Sequence, residues 1–258
     1  MVLYQEYPPC PALAPYLACL WTCRVLPGAG KVSHRVLPDN CIDILWQDVT
    51  DHGRVAGMMS TVIDVAVQRP TRTVAVRFKP GAAAHFFRLP LHQLTDLHPD
   101  LDALWDGAAS RAFSDALWSR QLSDRQALGA VQRLLLERLR ALPPLPRTGM
   151  AQAAVAAIER AHGAVRIETL AATLGVSRQH LAQQFKAQVG LGAKMFARVC
   201  RFRAASERIR SLPPGEVDYA ALALDMGYYD QPHLIHEFRE LAGATPESFT
   251  PERTAASV

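Results

Sequence analysis

From residue 32 to 78 the apolar positions fall in short runs rich in β-branched residues, at 32–37, 41–46, 54–58, 61–67 and 73–78. Turn-forming stretches separate them, Pro38-Asp39-Asn40 and Asp51-His52-Gly53 among them. Runs of this length and composition, bounded in this way, predict strands, and five of them predict an antiparallel sheet or a small barrel. Beyond Gly81 the apolar spacing lengthens to that of helices, at 81–88, 101–105, 109–119 and 123–142. In the last of these Ser123 stands as cap, and Leu128, Val131, Leu135 and Leu139 share one face. Such a stripe predicts a core contact, with a dimer contact as the alternative. Pro143, Pro144 and Pro146 then rule out helix and predict a linker at 142–149. The chain therefore divides into an α+β domain at 1–141 and an all-α domain at 150–258, opened by an Ala-rich helix at 151–161.

Within the all-α domain a single spacing occurs twice. His180, Leu181, Phe185, Gly190 and Phe196 are matched 53 positions later by His233, Leu234, Phe238, Gly243 and Phe249. Each copy follows a short apolar, Ala-rich run that ends in glycine, at Gly175 and at Gly227. Helix, glycine turn and second helix, repeated, is the pattern of two helix-turn-helix units.

The chemistry of the second helices fits base reading. In the first copy Ser177 caps a helix whose Leu181 and Phe185, four apart, turn inward together. Arg178, Gln179, Ala182, Gln183 and Lys186 then face away from that pair. Gln and Arg can make paired hydrogen bonds to adenine and guanine edges. In the second copy Asp230 is the cap and Pro232 lies in the first turn, where its missing N–H costs nothing. Gln231, Pro232, His233, His236 and Arg239 lie off the buried Leu234–Phe238 axis as candidate contacts. His180 and His233 adjoin the buried leucines, so a structural hydrogen bond competes with base contact at both.

At these residues the stretch 167–249 resembles the DNA-binding domain of AraC-type transcription regulators. The match is densest from Gly227-Tyr228-Tyr229-Asp230 through Phe238-Arg239 to Gly243-Ala244-Thr245-Pro246 and Phe249, with Arg201, Phe202 and Ala205 fitting the helix between the units. Ala193 stands where the first unit usually has the proline that Pro246 supplies in the second. The resemblance implies two helix-turn-helix units joined by a long helix, a double-stranded DNA partner, and RNA polymerase as a second partner. Around residues 35–45 and 76–83 the front half is similar to an N-terminal domain of some members, which implies a small-molecule effector or a homodimer contact there.

Charge sharpens the picture of the reader. Between Arg178 and Arg210 eight Lys or Arg (178, 186, 194, 198, 201, 203, 208, 210) meet one acid, Glu207, whereas from Ser211 onward two bases meet eight acids. Phosphate neutralisation is therefore expected from the first unit and the joining helix, Arg201 and Lys186 included. That helix, expected at 193–212, would hold the two readers roughly 34 Å apart, in successive major grooves.

Hydrophobic content of 49% is that of a globular chain, no apolar run reaches a membrane span, and the first residues are not a signal peptide, so a cytoplasmic location is expected. The five cysteines are expected to be reduced thiols. Cys10, Cys19, Cys23 and Cys41 leave open a thiol or metal sensor, and a DNA-repair alkyltransferase is the competing enzyme class. Zinc sites, however, show two tight ligand pairs, and here Cys10 and Cys41 are scattered. No phosphate loop or nucleophile motif is present, so no metal, cofactor or catalytic residue is assigned. In the front half Asp39, Asp43 and Arg77 are polar groups within apolar strands. Such groups need partners, and they are the candidate effector site unless they serve only one another.

Overall fold

The computed structural model describes residues 1–27, 32–67, 69–143, 149–213 and 216–249, and among these the front of the chain holds seven strands. They are β1 (Val2–Tyr7), β2 (Leu17–Val25), β3 (Val32–Val36), β4 (Ile42–Gln47), β5 (Gly53–Ala56), β6 (Ile63–Val67) and β7 (Thr71–Phe78). Five form an antiparallel sheet in the order β1-β2-β7-β4-β5, and β3 pairs with β6 in a separate ladder. β1 and β2 go beyond the five strands expected. β2 has buried residues on both of its faces and so lacks the period-two signature of a half-exposed strand.

Alternation along the strands assigns the sheet two different faces. Ile42, Ile44 and Trp46 of β4 and Val74, Val76 and Phe78 of β7 are all at most 2% exposed and build the core. The opposite face carries Asp43 and Leu45 of β4, Thr73 and Arg77 of β7, and Cys19 and Trp21 of β2.

Behind the core face lie α1 (Gly107–Ser119) and α2 (Asp124–Ala141). Ser123 and Gln126 close a capping box at the start of α2, and Leu128, Val131 and Leu135 are buried, so the apolar stripe is core. The segments expected as helices at 81–88 and 101–105 are single 3-10 turns, Ala82–His85 and Leu101–Ala103. A helix this short gains too few hydrogen bonds to offset its nucleation.

The expected linker at 142–149 falls mostly on residues 144–148, outside the described residues. After it come α3 (Gly149–Arg160), α4 (Ile167–Thr173), α5 (Arg178–Val189), α6 (Ala193–Arg210), α7 (Tyr219–Asp225) and α8 (Gln231–Ala242). The repeat appears as matched geometry. Leu181 and Leu234, Phe185 and Phe238 are fully buried, Phe196 and Phe249 are core, and Gly190 and Gly243 cap α5 and α8 at positive φ. Gly175 and Gly227 take φ of 68° and 75° in the two turns, a region open to glycine at little cost.

The buried side chains divide at an unexpected place. One cluster runs from the sheet through α2 into α3, α4, α5 and the first residues of α6, ending at Ala197. A second, from Val199 of α6 through Phe202, Phe238 and Phe249, belongs to the second unit. The division thus falls within α6.

Candidate functional site

Two features qualify, a pair of exposed helix faces and a cavity. On α5 Arg178, Gln179, Ala182, Gln183 and Lys186 are all exposed, and His180 is exposed with them. Ser177 accepts from the backbone N–H of His180 at 3.1 Å, fixing the start of the helix. Arg178 lies 3.5 Å from Glu168, an exposed contact that a phosphate could replace.

On α8 Gln231, Pro232, His236 and Arg239 are exposed, whereas His233 is half-buried. Asp230 accepts from the N–H of His233, and the His233 Nδ1 accepts from the N–H of Tyr229 at 3.2 Å. Its ring meets Tyr228 edge-on at 5.4 Å. His233 thus helps to close the turn through Nδ1 and its backbone N–H.

The joining helix carries fewer free cations than its sequence offers. Arg201 donates to the Gly163 carbonyl at 2.8 Å and lies over the Tyr228 ring at 5.3 Å. Arg198 donates to both carboxylate oxygens of Glu237, at 3.0 and 2.9 Å, and also pairs with Glu240. Arg203 donates to the Asp39 carbonyl at 3.1 Å. Arg201, expected among the phosphate contacts, is engaged within the fold: its guanidinium joins α6 to the α3–α4 turn and to the second unit.

The cavity, about 810 Å³, lies between the second face of the sheet and the reader. Its floor holds Asp39, Asp43 and Arg77 together. Arg77 Nη2 and Nε donate to Asp43 at 3.0 and 3.2 Å, and Nε lies 3.5 Å from Asp39. Trp21 Nε1 donates to Asp43 at 3.0 Å. Burial pushes the Asp43 carboxyl up, against the pull of Arg77, while its carboxylates hold Arg77 firmly charged. The three residues satisfy one another and also line the cavity.

Residues that the sequence did not single out complete it. Tyr4 and Glu6 of β1 share one face with Val2. The roof comes from α3, through Gln152, Val155 and Glu159, and from α6, through Phe202, Arg203 and Ser206. Only folding brings these to the sheet.

Cys19, Cys41 and Cys200 are not activated. Burial pushes Cys19 up to about 12, Cys200 up to about 11, and Cys41 well above the ordinary range. A nucleophilic thiol needs the opposite shift, so nothing in these surroundings favours alkyl transfer. Among the described residues no three or more His, Cys, Asp or Glu are grouped to hold a metal ion. No helix of the described residues is long and apolar enough to cross a membrane.

Comparison with known proteins adds two family matches. Residues 5–100 match a domain of unknown function (DUF6597), and residues 170–251 match a helix-turn-helix domain. No curated protein matches the chain. Among solved structures the chain is similar to ToxT from Vibrio cholerae, at 8% identity over 84% of this chain and 96% of that one, with a TM-score of 0.44. ToxT bound to (E)-4-(8-methylnaphthalen-1-yl)but-3-enoic acid gives the same values, and unsaturated fatty acid bound ToxT gives 9% identity, 84% and 92% coverage and a TM-score of 0.39. Likeness at this level carries no argument about ligands.

Proposed function

Because residues 170–251 form an AraC-type helix-turn-helix domain, we propose that this protein is a sequence-specific, DNA-binding transcription regulator whose cavity receives a small-molecule effector. The observation that carries the DNA reading is the exposed face of α5, where Arg178, Gln179, Gln183 and Lys186 surround a helix fixed from behind by Leu181 and Phe185. Gln183 and Arg178 suit base edges, and Lys186 suits phosphate. On α8, Gln231, His236 and Arg239 supply the second, less basic face.

The effector reading rests on where the cavity lies. Its roof includes α6, the helix that joins the two readers, so an occupant in contact with Phe202 and Arg203 would bias how the two units are held. Asp39, Asp43 and Arg77 are then the polar end of the effector site.

Selection of bound sequences from random duplex DNA, followed by anisotropy titrations at several salt concentrations, tests the DNA reading. Gln183→Ala should lose on the order of 1–3 kcal/mol on the selected site alone. Lys186→Ala should weaken binding to every sequence and flatten the salt slope by about one unit. Absence of salt-dependent binding would reduce the protein to an interaction module.

A further inference from the structure

We propose that the occupant of the cavity is an apolar organic cation, a protonated or quaternary amine or a compound of like charge, held by Tyr4, Trp21 and Glu6 beside the Asp39–Asp43–Arg77 cluster. This rests on the reading of the cavity as the effector site.

The size and lining fit a drug-sized apolar molecule. The cavity offers about 810 Å³, with Leu45, Met59, Val155 and Phe202 among its walls. What selects the charge is the balance of the inner polar groups. Arg77 is surrounded by carboxylates, with Asp43 at 3.0 Å, Asp39 at 3.5 Å and Glu6 at 3.9 Å. Its side chain is 15% exposed, and those of Asp43, Asp39 and Glu6 are 10%, 22% and 27% exposed. Three acids around one base leave this inner cluster two negative charges in excess.

The other charged groups of the lining carry a formal excess of two positive charges, but they lie out in solvent, so the negative excess belongs to the inner, less exposed end of the cavity. Arg54, Lys79, Arg203 and Arg210 are exposed, as are the acids Glu159 and Glu207. Arg54 lies 3.7 Å from Asp100, and Lys79 donates to the Ala14 carbonyl at 2.7 Å. At the inner end an anionic ligand would have to separate Arg77 from its partners and then face the remaining carboxylates. A cation meets those carboxylates directly.

The aromatic pair points the same way. The Tyr4 and Trp21 rings lie 5.7 Å apart at 39°, and both line the cavity next to Glu6. Tyr4 donates its hydroxyl hydrogen to Glu6 at 2.6 Å, and burial keeps that hydroxyl neutral. A π face flanked by a carboxylate is the arrangement that attracts a desolvated cation.

The test uses two probes of matched shape and opposite charge, tetraphenylphosphonium and tetraphenylborate, titrated calorimetrically into the full-length protein. One phosphonium site is expected, at least tenfold tighter than any borate site. Glu6→Gln should reduce that preference about tenfold, and Tyr4→Leu should weaken the phosphonium while leaving the borate unchanged. The second variant keeps the test valid if the first fails to fold. Borate binding as tight as phosphonium, or a preference untouched by both variants, overturns the cation assignment and leaves the effector cavity standing. Binding of neither probe overturns both.

Discussion

Asp124 is the residue through which acid reaches this fold. It begins α2 and receives Arg24 and Arg72, each at 2.7 Å, so one carboxylate ties β2 and β7 to the helix behind them. Burial raises its pKa, but the hydrogen bonds from the two arginines prevail and hold it below the ordinary carboxylate range. A depressed folded pKa contributes stability that is fully present above the unfolded value of about 3.9 and is lost as pH falls through the folded value. Asp124→Asn should therefore cost on the order of 1 kcal/mol at neutral pH, and the gap from wild type should close below about pH 4. Urea melts across that range measure it, and a gap that does not change with pH would sink the account. Arg201 makes the complementary point about what a sequence reveals. In a run of eight bases it looks like a phosphate ligand, yet its partners are a backbone carbonyl 38 residues away and the Tyr228 ring. Charge is legible in a sequence, but the partner of a charge is not. Arg201→Ala should lower stability by about 1.5–3 kcal/mol, as expected for a lost hydrogen bond from a charged group, and leave the salt slope of DNA binding unchanged. A flattened slope with unchanged stability would restore the phosphate role.

At the scale of elements, the features that could be read in advance are those whose signal is local. The caps Ser123, Ser177 and Asp230, the glycines at the two turns and the Leu–Phe pairs of α5 and α8 all follow from spacing within a dozen residues. β1 and β2 were hidden because their burial is decided by distant partners, β7 for β2, and Trp21 and Arg77 for the β1 face bearing Tyr4 and Glu6. Gly163 belongs with the hidden features. It turns the chain after α3 at φ 78°, and a Cβ there would lie 2.0 Å from the Ala197 carbonyl oxygen and 2.8 Å from the Arg201 nitrogen. α3 and α6 can approach only across a residue without a side chain. Gly163→Ala should lower stability by roughly 2–4 kcal/mol, while Gly149→Ala, which meets nothing within 4 Å, should change it little. Thermal melts of the two variants compare them directly, and equal melting temperatures would show that α6 can shift at no cost.

At the scale of the whole molecule, the two helix-turn-helix units differ in what supports them. The first shares its core with the front domain: the buried cluster is continuous from Ile44 and Phe78 to Leu181, Phe185 and Phe196. Thr95 donates to the Gly190 carbonyl at 2.9 Å, and Asn40, buried at a positive φ, donates to the Phe196 carbonyl at 3.0 Å. The second unit closes on itself. Phe202 meets Phe238 and Phe249 at 4.9 and 6.0 Å, and the front domain adds Leu37 at the margin of that cluster. Among the described residues its ties to the front domain also include hydrogen bonds from Arg35 to the Ala242 carbonyl, from Thr61 to the Glu240 carbonyl and from Arg203 to the Asp39 carbonyl, half-buried or exposed, at 3.2, 3.0 and 3.1 Å. Removing the front domain should therefore weaken the first unit more than the second, even though the two share a sequence pattern. In a fragment spanning 149–258, amide hydrogens of α5 should exchange faster than in the full chain by a larger factor than those of α8, because the first unit loses more apolar neighbours than the second. The same asymmetry would let an occupant of the cavity act on the first reader through packing while the second follows through α6. Equal loss of protection in α5 and α8 would mean that the two units stand or fall together, and the front domain would then hold no particular control over the first.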